Sequence, residues 1–347
     1  MPDSMKSRIY EKLSTEKEPL DYKGKIPWIV QQQVAATNGI HYLNSIGLLE
    51  EYPIPEIPVE PDGVNNLLLD IGCGWGRWLT AACRKKFIPV GIDLRLEFCE
   101  VARKVVQQNG GNAYTVVADL QQLPFQNDVF DLVWSFSVIQ HTHINRLTNC
   151  LQEIHRILKP SGYCFLEFPN KNGIRNHFGP ASSPNNMDFE SWDVRYYSPS
   201  AYKKIFENYF DNFSYSIHSA LGIGILPGDF KYARGVKNKT VISVSRLLTL
   251  MAGLIKPLQA WADSIYIKAV KNGNQGQPPD YIDTFLHSHL QNPENNLNII
   301  PLLACPKSGY PLVLSDDRTE LICQKAGIAY PVHQSIPILV SSEARSI

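Results

Sequence analysis

The stretch Leu67-Leu68-Leu69-Asp70-Ile71-Gly72-Cys73-Gly74-Trp75-Gly76-Arg77 constrains this chain more than any other. An apolar run of strand type ends in an acid, turns through alternate glycines and enters a helical pattern. Glycines there free the backbone to take positive φ and let a ligand press against it. A dinucleotide fingerprint puts its third glycine one residue later, where this chain has Arg77. The spacing therefore argues against a nicotinamide dehydrogenase. Asp93 closes a second apolar run, Val90-Gly91-Ile92, at the distance where an acid grips ribose hydroxyls.

From Leu67 onward strands and helices alternate. The patterns predict strands at 67–71, 88–92, 113–117, 130–135 and 163–168, with helices at 76–86, 96–109 and 144–158 between them. That rhythm predicts a mostly parallel sheet covered on both faces. Lys159-Pro160-Ser161-Gly162 reads as a helix stop and turn. Further on, helix 202–210, strand 213–218, helix 240–262 and strand 264–270 bring the sheet to seven strands. Upstream, residues 27–49 show helical spacing, followed by a proline-rich link. Residues 171–195, rich in Asn, Pro and Ser, read as a long loop of the functional kind. The division that follows is an N-terminal arm over 1–26, an α/β domain over 27–272, a polar linker over 273–296 and a small β-rich module over 297–347.

Composition narrows the function. The formal charge is zero, so no electrostatic footprint for nucleic acid is expected. The seven cysteines, at 73, 83, 99, 150, 164, 305 and 323, form no disulfide framework pattern and suit a cytoplasmic protein. The charged start resembles no signal peptide. The apolar stretch Leu247 to Ile255 is too short to span a bilayer, so no transmembrane segment is expected.

The residues Asp70-Ile71-Gly72-Cys73-Gly74-Trp75-Gly76 resemble the first motif of class I S-adenosylmethionine-dependent methyltransferases. Gly91-Ile92-Asp93 resembles the second. Ala118-Asp119-Leu120, Leu123-Pro124-Phe125 and Phe130-Asp131-Leu132-Val133 follow like the third and fourth, and Leu158 to Tyr163 resembles the turn before strand five. The resemblance implies a Rossmann-like fold and S-adenosyl-L-methionine as cofactor. It implies that Gly72, Cys73, Gly74 and Gly76 cradle the aminoacyl part and that Asp70 lies near its ammonium. By the same resemblance Asp93 takes the ribose hydroxyls, Asp119 takes the adenine amino group, and Leu94 and Leu120 flank the ring. Ser135 and Phe136 would floor the pocket at the reactive methyl. His141, after strand four, is the candidate base. Glu167, Asn170, Tyr196 and Tyr197 are candidates for the acceptor pocket. Methyl transfer from a sulfonium needs chiefly orientation and desolvation, and a base only where the acceptor holds its proton.

The tail, from Leu303-Ala304-Cys305-Pro306 through Leu321-Ile322-Cys323 to Ile336-Pro337-Ile338-Leu339-Val340, resembles the zinc-ribbon family of methyltransferase activators and their short bacterial relatives. A ribbon puts cysteines at 305, 308, 323 and 326; here 308 is Ser and 326 is Ala. Two thiolates do not close a tetrahedral site, so no metal is expected. In that family the module adds a strand to a separate methyltransferase. The resemblance implies docking in cis against the edge strand Tyr114–Val117. Two functions follow. One is an enzyme acting on a small-molecule, sugar or lipid-linked acceptor, with nucleic acid an unfavoured partner. The other is a wobble-uridine transfer-RNA methyltransferase with its activator module fused in cis.

Overall fold

A computed structural model describes residues 23–38, 40–60, 62–178, 194–222, 224–273 and 279–347. Most of the arm expected at 1–26, and most of the loop expected at 171–195, lies outside the described residues.

Five strands form the parallel centre: β1 (Leu67–Ile71), β2 (Ile88–Asp93), β3 (Tyr114–Ala118), β4 (Phe130–Ser135) and β5 (Leu158–Pro169). All five residues of β1 are buried, the acid Asp70 with its four apolar neighbours, as in a strand covered on both faces. It pairs in parallel with β2 on one side and β4 on the other. The helices α1 (Trp28–Thr37), α2 (Arg77–Arg84), α3 (Leu96–Gln108) and α4 (Ile144–Ile157) precede or alternate with these strands. Beyond β5 come α5 (Ile174–Phe178), α6 (Pro199–Phe206), β6 (Asn212–Ser219), α7 (Val236–Leu254), α8 (Lys256–Gln259) and β7 (Ser264–Val270). Strand β7 runs antiparallel between β5 and β6. This is the Rossmann-like sheet expected from the sequence, with β6 at its edge and β7 as the one strand that runs against the central five.

Several elements differ from the sequence reading. The helical pattern over 27–49 is α1 followed, after Asn38 at its C-cap, by a 3-10 turn over Ile40–Ser45. The single helix expected over 240–262 breaks at Ile255, because Pro257 has no N–H to continue the ladder and its ring clashes with the preceding turn. The expected turn at 159–162 is absorbed into β5, whose register against β4 shifts between Phe130 and Leu132.

The C-terminal module extends the sheet. Its strands are β8 (Val313–Leu314), β9 (Glu320–Cys323), β10 (Ile328–His333), β11 (Ile336–Leu339) and β12 (Arg345–Ser346). The whole sheet has twelve strands in the order β6-β7-β5-β4-β1-β2-β3-β11-β10-β9-β8, with β12 against β10. Ile338 and Leu339 of β11 pair in parallel with Val117 and Ala118, at the edge named from the sequence. A single apolar core runs through the junction, from Tyr114, Phe125 and Phe130 to Leu302, Cys305, Tyr330 and Leu339.

The segment 273–296, read as a polar linker, instead holds a helix, α9 (Asp280–Gln291). Its Tyr281, Ile282, Phe285, Leu286 and Leu290 recur at helical spacing; Ile282 and Phe285 are buried, and Phe285 meets the Tyr114 ring edge-on at 5.1 Å. The His289 Nδ1 lies 2.8 Å from the Tyr114 hydroxyl. At the end of this segment the Asn296 side chain imitates a strand residue. Its Oδ1 accepts from Thr115 N at 2.8 Å, and its Nδ2 donates to Thr115 O at 2.9 Å and to Ser335 O at 2.8 Å. The β11 pairing thus carries the upper half of the β3 edge, and one buried amide carries the lower half. Asn296→Ala leaves the buried Thr115 N–H and C=O without partners, at a cost of about 2–5 kcal/mol. Urea unfolding checks this: a clearly lowered midpoint is expected, and an unchanged midpoint contradicts the role assigned to Asn296.

Candidate functional site

The site grows from the end of β1. Gly72, Gly74 and Gly76 all take positive φ, at 74°, 49° and 89°. A Cβ on Gly72 would come within 2.3 Å of Val138, and one on Gly76 within 2.8 Å of the Ala102 backbone. Space and conformation therefore both demand glycine at these two positions. Gly74 differs, since a Cβ there would meet nothing within 4 Å: its α-carbon faces open room. The loop is pinned on β2, with Gly72 N and Cys73 N both donating to Ile92 O at 2.8 and 2.9 Å. Cys73 is a buried filler; a Cβ on Gly91 would come within 2.8 Å of it. Its thiol is pushed well up, first by its hydrogen bond with Cys99 and then by burial.

Two carboxylates face this loop. Asp93 accepts from Gly74 N on Oδ2 and from Arg95 N on Oδ1, both at 3.1 Å. Burial raises its pKa to about 6 against those hydrogen bonds. Asp70 is 1% exposed and neither of its oxygens has a hydrogen-bond partner among the described residues. Burial raises its pKa to about 8; the Arg77 charge opposes this and Asp93 adds to it. A buried carboxylate with no donor fits a ligand that brings a cation, as the ammonium of an aminoacyl group does.

The other expected residues take varied places. Asp119 and Leu120 lie half-buried after β3, where the Asp119 Oδ1 accepts from Gln121 N at 2.9 Å in a turn of Asx type. Leu94 is 48% exposed after β2, with its apolar side chain uncovered. Ser135 is fully buried, and its Oγ donates to Ile71 O at 3.4 Å. His141 lies in a 3-10 turn, Ile139–His141. Arg195 holds this turn, its backbone N–H donating to Gln140 O at 2.8 Å and its guanidinium to His141 O. The helix-start role belongs to its neighbour His143, whose Nδ1 accepts from Asn145 N at 3.2 Å.

Of the acceptor-pocket candidates, Glu167 and Asn170 are spent on structure. The Glu167 Oε2 accepts from Ser137 N at 2.9 Å and Ser137 Oγ at 3.1 Å, which fixes Ser137 at φ 59°; its Oε1 takes the Ser264 hydroxyl. Asn170 donates to Ala260 O and Ala262 O at 3.1 and 2.8 Å. Tyr197 accepts from Ile144 N at 3.1 Å, at the start of α4.

The sequence reading missed a cluster beside the loop. Arg77 is 6% exposed, and its guanidinium lies over the Trp78 and Phe136 rings at 5.2 and 5.0 Å. Burial lowers its pKa, while Asp229, Tyr42 and Asp70 hold the charge in place. Asp229 is itself engaged, accepting from the Tyr42 hydroxyl and from Leu226 N, each at 2.8 Å. The His218 ring stands edge-on to Phe136 at 5.0 Å and to Tyr266 at 4.8 Å. Its Nε2 is buried without a hydrogen-bond partner among the described residues, and burial takes its pKa down to about 3. The only sequence signal was a charged residue on a helix face that the glycine loop presses into the core. His218, Tyr266 and Asp229 come from β6, β7 and the turn at Pro227–Lys231, too far apart in the chain to be paired by spacing.

Comparison with known proteins agrees with this geometry. Residues 68–162 match the family described as methyltransferase domain, and residues 297–335 match the Trm112p-like proteins. A UPF0434 protein of Pseudomonas aeruginosa is 53% identical over 49 residues, which cover 14% of this chain and 80% of that protein. Another, from Ectopseudomonas mendocina, is 48% identical over 52 residues, covering 15% and 85%. The chain is a methyltransferase, and through its C-terminal module it belongs to the UPF0434 family. Its cofactor is S-adenosylmethionine. Among solved structures, a SAM-dependent methyltransferase from Archaeoglobus fulgidus is 19% identical with a TM-score of 0.40, covering 60% of this chain and 88% of that one. A chain from the complex of the Haloferax volcanii Trm112 methyltransferase activator with its methyltransferase is 19% identical with a TM-score of 0.41, covering 64% and 87%. The fold of this methyltransferase follows from its own strand order, not from likenesses at that level.

The zinc ligands of a ribbon do not fit the module of this methyltransferase. Cys305 Sγ lies 3.5 Å from the Tyr330 hydroxyl, and Cys323 Sγ 3.5 Å from Ser308 Oγ. Ser308→Cys combined with Ala326→Cys supplies the missing thiolates. The doubly substituted protein is expected to purify with a stoichiometric amount of zinc, measured by atomic emission, and the unsubstituted protein with almost none. Equal metal contents contradict the ribbon geometry.

Asp70 also predicts a pH effect. Its pKa is about 8 folded and about 4 in the unfolded chain. Below the unfolded value both states are protonated and Asp70 costs nothing. Between the two values the folded state holds a proton that the unfolded state has lost, so stability falls as pH rises, until the loss is complete above about pH 8. Thermal melts of the ligand-free enzyme from about pH 5 to about pH 8 are expected to show a downward slope that Asp70→Asn flattens. Parallel slopes for the two proteins contradict the assignment.

Proposed function

We propose that the enzyme methylates a small acceptor that carries an anionic group, bound beside the glycine loop between the end of β4 and strands β6 and β7. The observation that carries this reading is Arg77: a buried guanidinium over two aromatic faces, which no described residue hydrogen-bonds. Such a group suits a carboxylate or phosphate, which it can bind in bidentate fashion. Phe136, Tyr266 and His218 wall the same place with apolar surface.

The cofactor supplies a methyl group already activated on a sulfonium. The chain's own part is binding and orientation. In this reading Gly72, Gly74 and Gly76 lend their bare backbone to the aminoacyl part, and Asp70 takes its ammonium. Asp93 accepts from the ribose hydroxyls, Asp119 from the adenine amino group, and Leu94 and Leu120 cover the ring. His141 takes the proton from an acceptor that holds one. The module braces β3 from outside, so Asp93 and Asp119, at the ends of β2 and β3, keep their spacing. The free thiols suit a reducing compartment, and we place the enzyme in the cytoplasm. The Trm112p-like module supports the transfer-RNA alternative only weakly.

Transfer of a labelled methyl group to matched carboxylate, phosphate and neutral acceptors tests this reading. Label is expected on the anionic compounds. Losing a charged hydrogen bond worth about 1.5–3 kcal/mol, Arg77→Gln should raise the acceptor KM by roughly tenfold or more, with cofactor affinity kept. Equal labelling of neutral compounds, or an unchanged KM, contradicts it.

A further inference from the structure

Helix α7 is built inside out. Its packed face is Ile242, Ser245, Thr249 and Ala252, mostly small or polar. Ser245 Oγ meets Ser219 Oγ at 3.2 Å, and Thr249 Oγ1 accepts from Ala220 N at 3.0 Å. The opposite face carries the large apolar side chains: Val236 is 83% exposed, Leu247 59%, Leu250 61% and Leu254 85%. Just beyond, Ile255 is 46% and Trp261 56% exposed. Leu247, Leu250 and Leu254 recur every three or four residues through the second half of the helix, so they form one stripe. A stripe of this kind is not left in water without a partner.

Charge identifies the partner. The full chain is electrically neutral, yet residues 230–262 contain six Lys and Arg and no Asp or Glu. Lys237, Lys239 and Arg246 stand exposed on α7 itself. An exposed apolar stripe bordered by cations, with a tryptophan at its end, is the pattern of a helix that lies in the headgroup layer of an anionic bilayer. Among the described residues no helix is long and apolar enough to cross a membrane, so the contact is with the surface. A second copy of the chain would set these cations against the same cations across a two-fold axis.

We infer that α7 docks the protein on an anionic lipid surface, with Leu247, Leu250 and Leu254 entering the acyl boundary and Lys237, Lys239 and Arg246 meeting the headgroups. The helix follows the turn that holds Asp229 and precedes the strand that holds Tyr266. Docking therefore brings the acceptor site into the neighbourhood of lipid-borne molecules. The inference stands apart from the methyl-transfer reading, because vesicle binding is read with no cofactor or acceptor present.

The test is flotation of the full chain with two kinds of vesicle, pure phosphatidylcholine and an equal mixture of phosphatidylcholine and phosphatidylglycerol. The protein is expected to float with the mixed vesicles and not with the neutral ones, and to be released by salt. Leu247→Gln, Leu250→Gln and Leu254→Gln together should lower partitioning at least tenfold, with melting temperature and cofactor affinity kept. Lys237→Glu with Lys239→Glu and Arg246→Glu gives an independent loss that does not touch the apolar stripe. Failure of the unsubstituted protein to float, equal flotation with neutral vesicles, or flotation unchanged by either set overturns the inference. So does a dimer in solution that the leucine substitutions split, since the stripe would then be covered by a second copy.

Discussion

The structure depends on how the chain leaves β1. The strand is buried along its whole length between two parallel neighbours, so the chain can emerge only at its carboxyl end. There it must turn at once to start α2 over the same core. Val138 closes on Gly72 from one side and Ala102 on Gly76 from the other. Only a backbone without side chains passes between them, and three residues of positive φ in alternation make the turn. The same bareness opens room over Gly74. It also leaves Asp70 buried beside that room with no donor of its own. One steric constraint thus produces both the turn and a site that lacks a cation.

The C-terminal module solves a different problem. Strand β3 would end the parallel sheet as an open edge, a liability for any sheet. Strand β11 covers part of it, and the amide of Asn296 covers the rest. Because the module is on the same chain, its docking is intramolecular, with an effective concentration no separate partner matches. The shared core also explains how two ribbon cysteines could be replaced. Leu302, Tyr330 and Leu339 belong to the same cluster as Tyr114 and Phe130, so apolar packing holds the module where a metal otherwise would.

Much of this was legible in the sequence. The strand over 67–71, the glycine spacing, Asp93 and the strand over 264–270 were all visible, because each depends on local pattern. The docking edge was legible only through the family resemblance of the tail. Helix α9 was missed although Tyr281, Ile282, Phe285, Leu286 and Leu290 recur at helical spacing, because the paired prolines at 278 and 279 and the polar residues around them made the whole segment read as linker. Arg77, His218 and Tyr266 meet only after three distant elements fold together. No spacing rule reaches across nearly two hundred residues.

The central claim is that the bend after β1, with Asp70 and Asp93 beside it, is the seat of S-adenosylmethionine. Isothermal titration of the full chain with the cofactor tests it most directly. The account predicts saturable binding of one molecule per chain, weakened at least tenfold by Asp93→Ala. No heat of binding, or an affinity indifferent to Asp93, would contradict it.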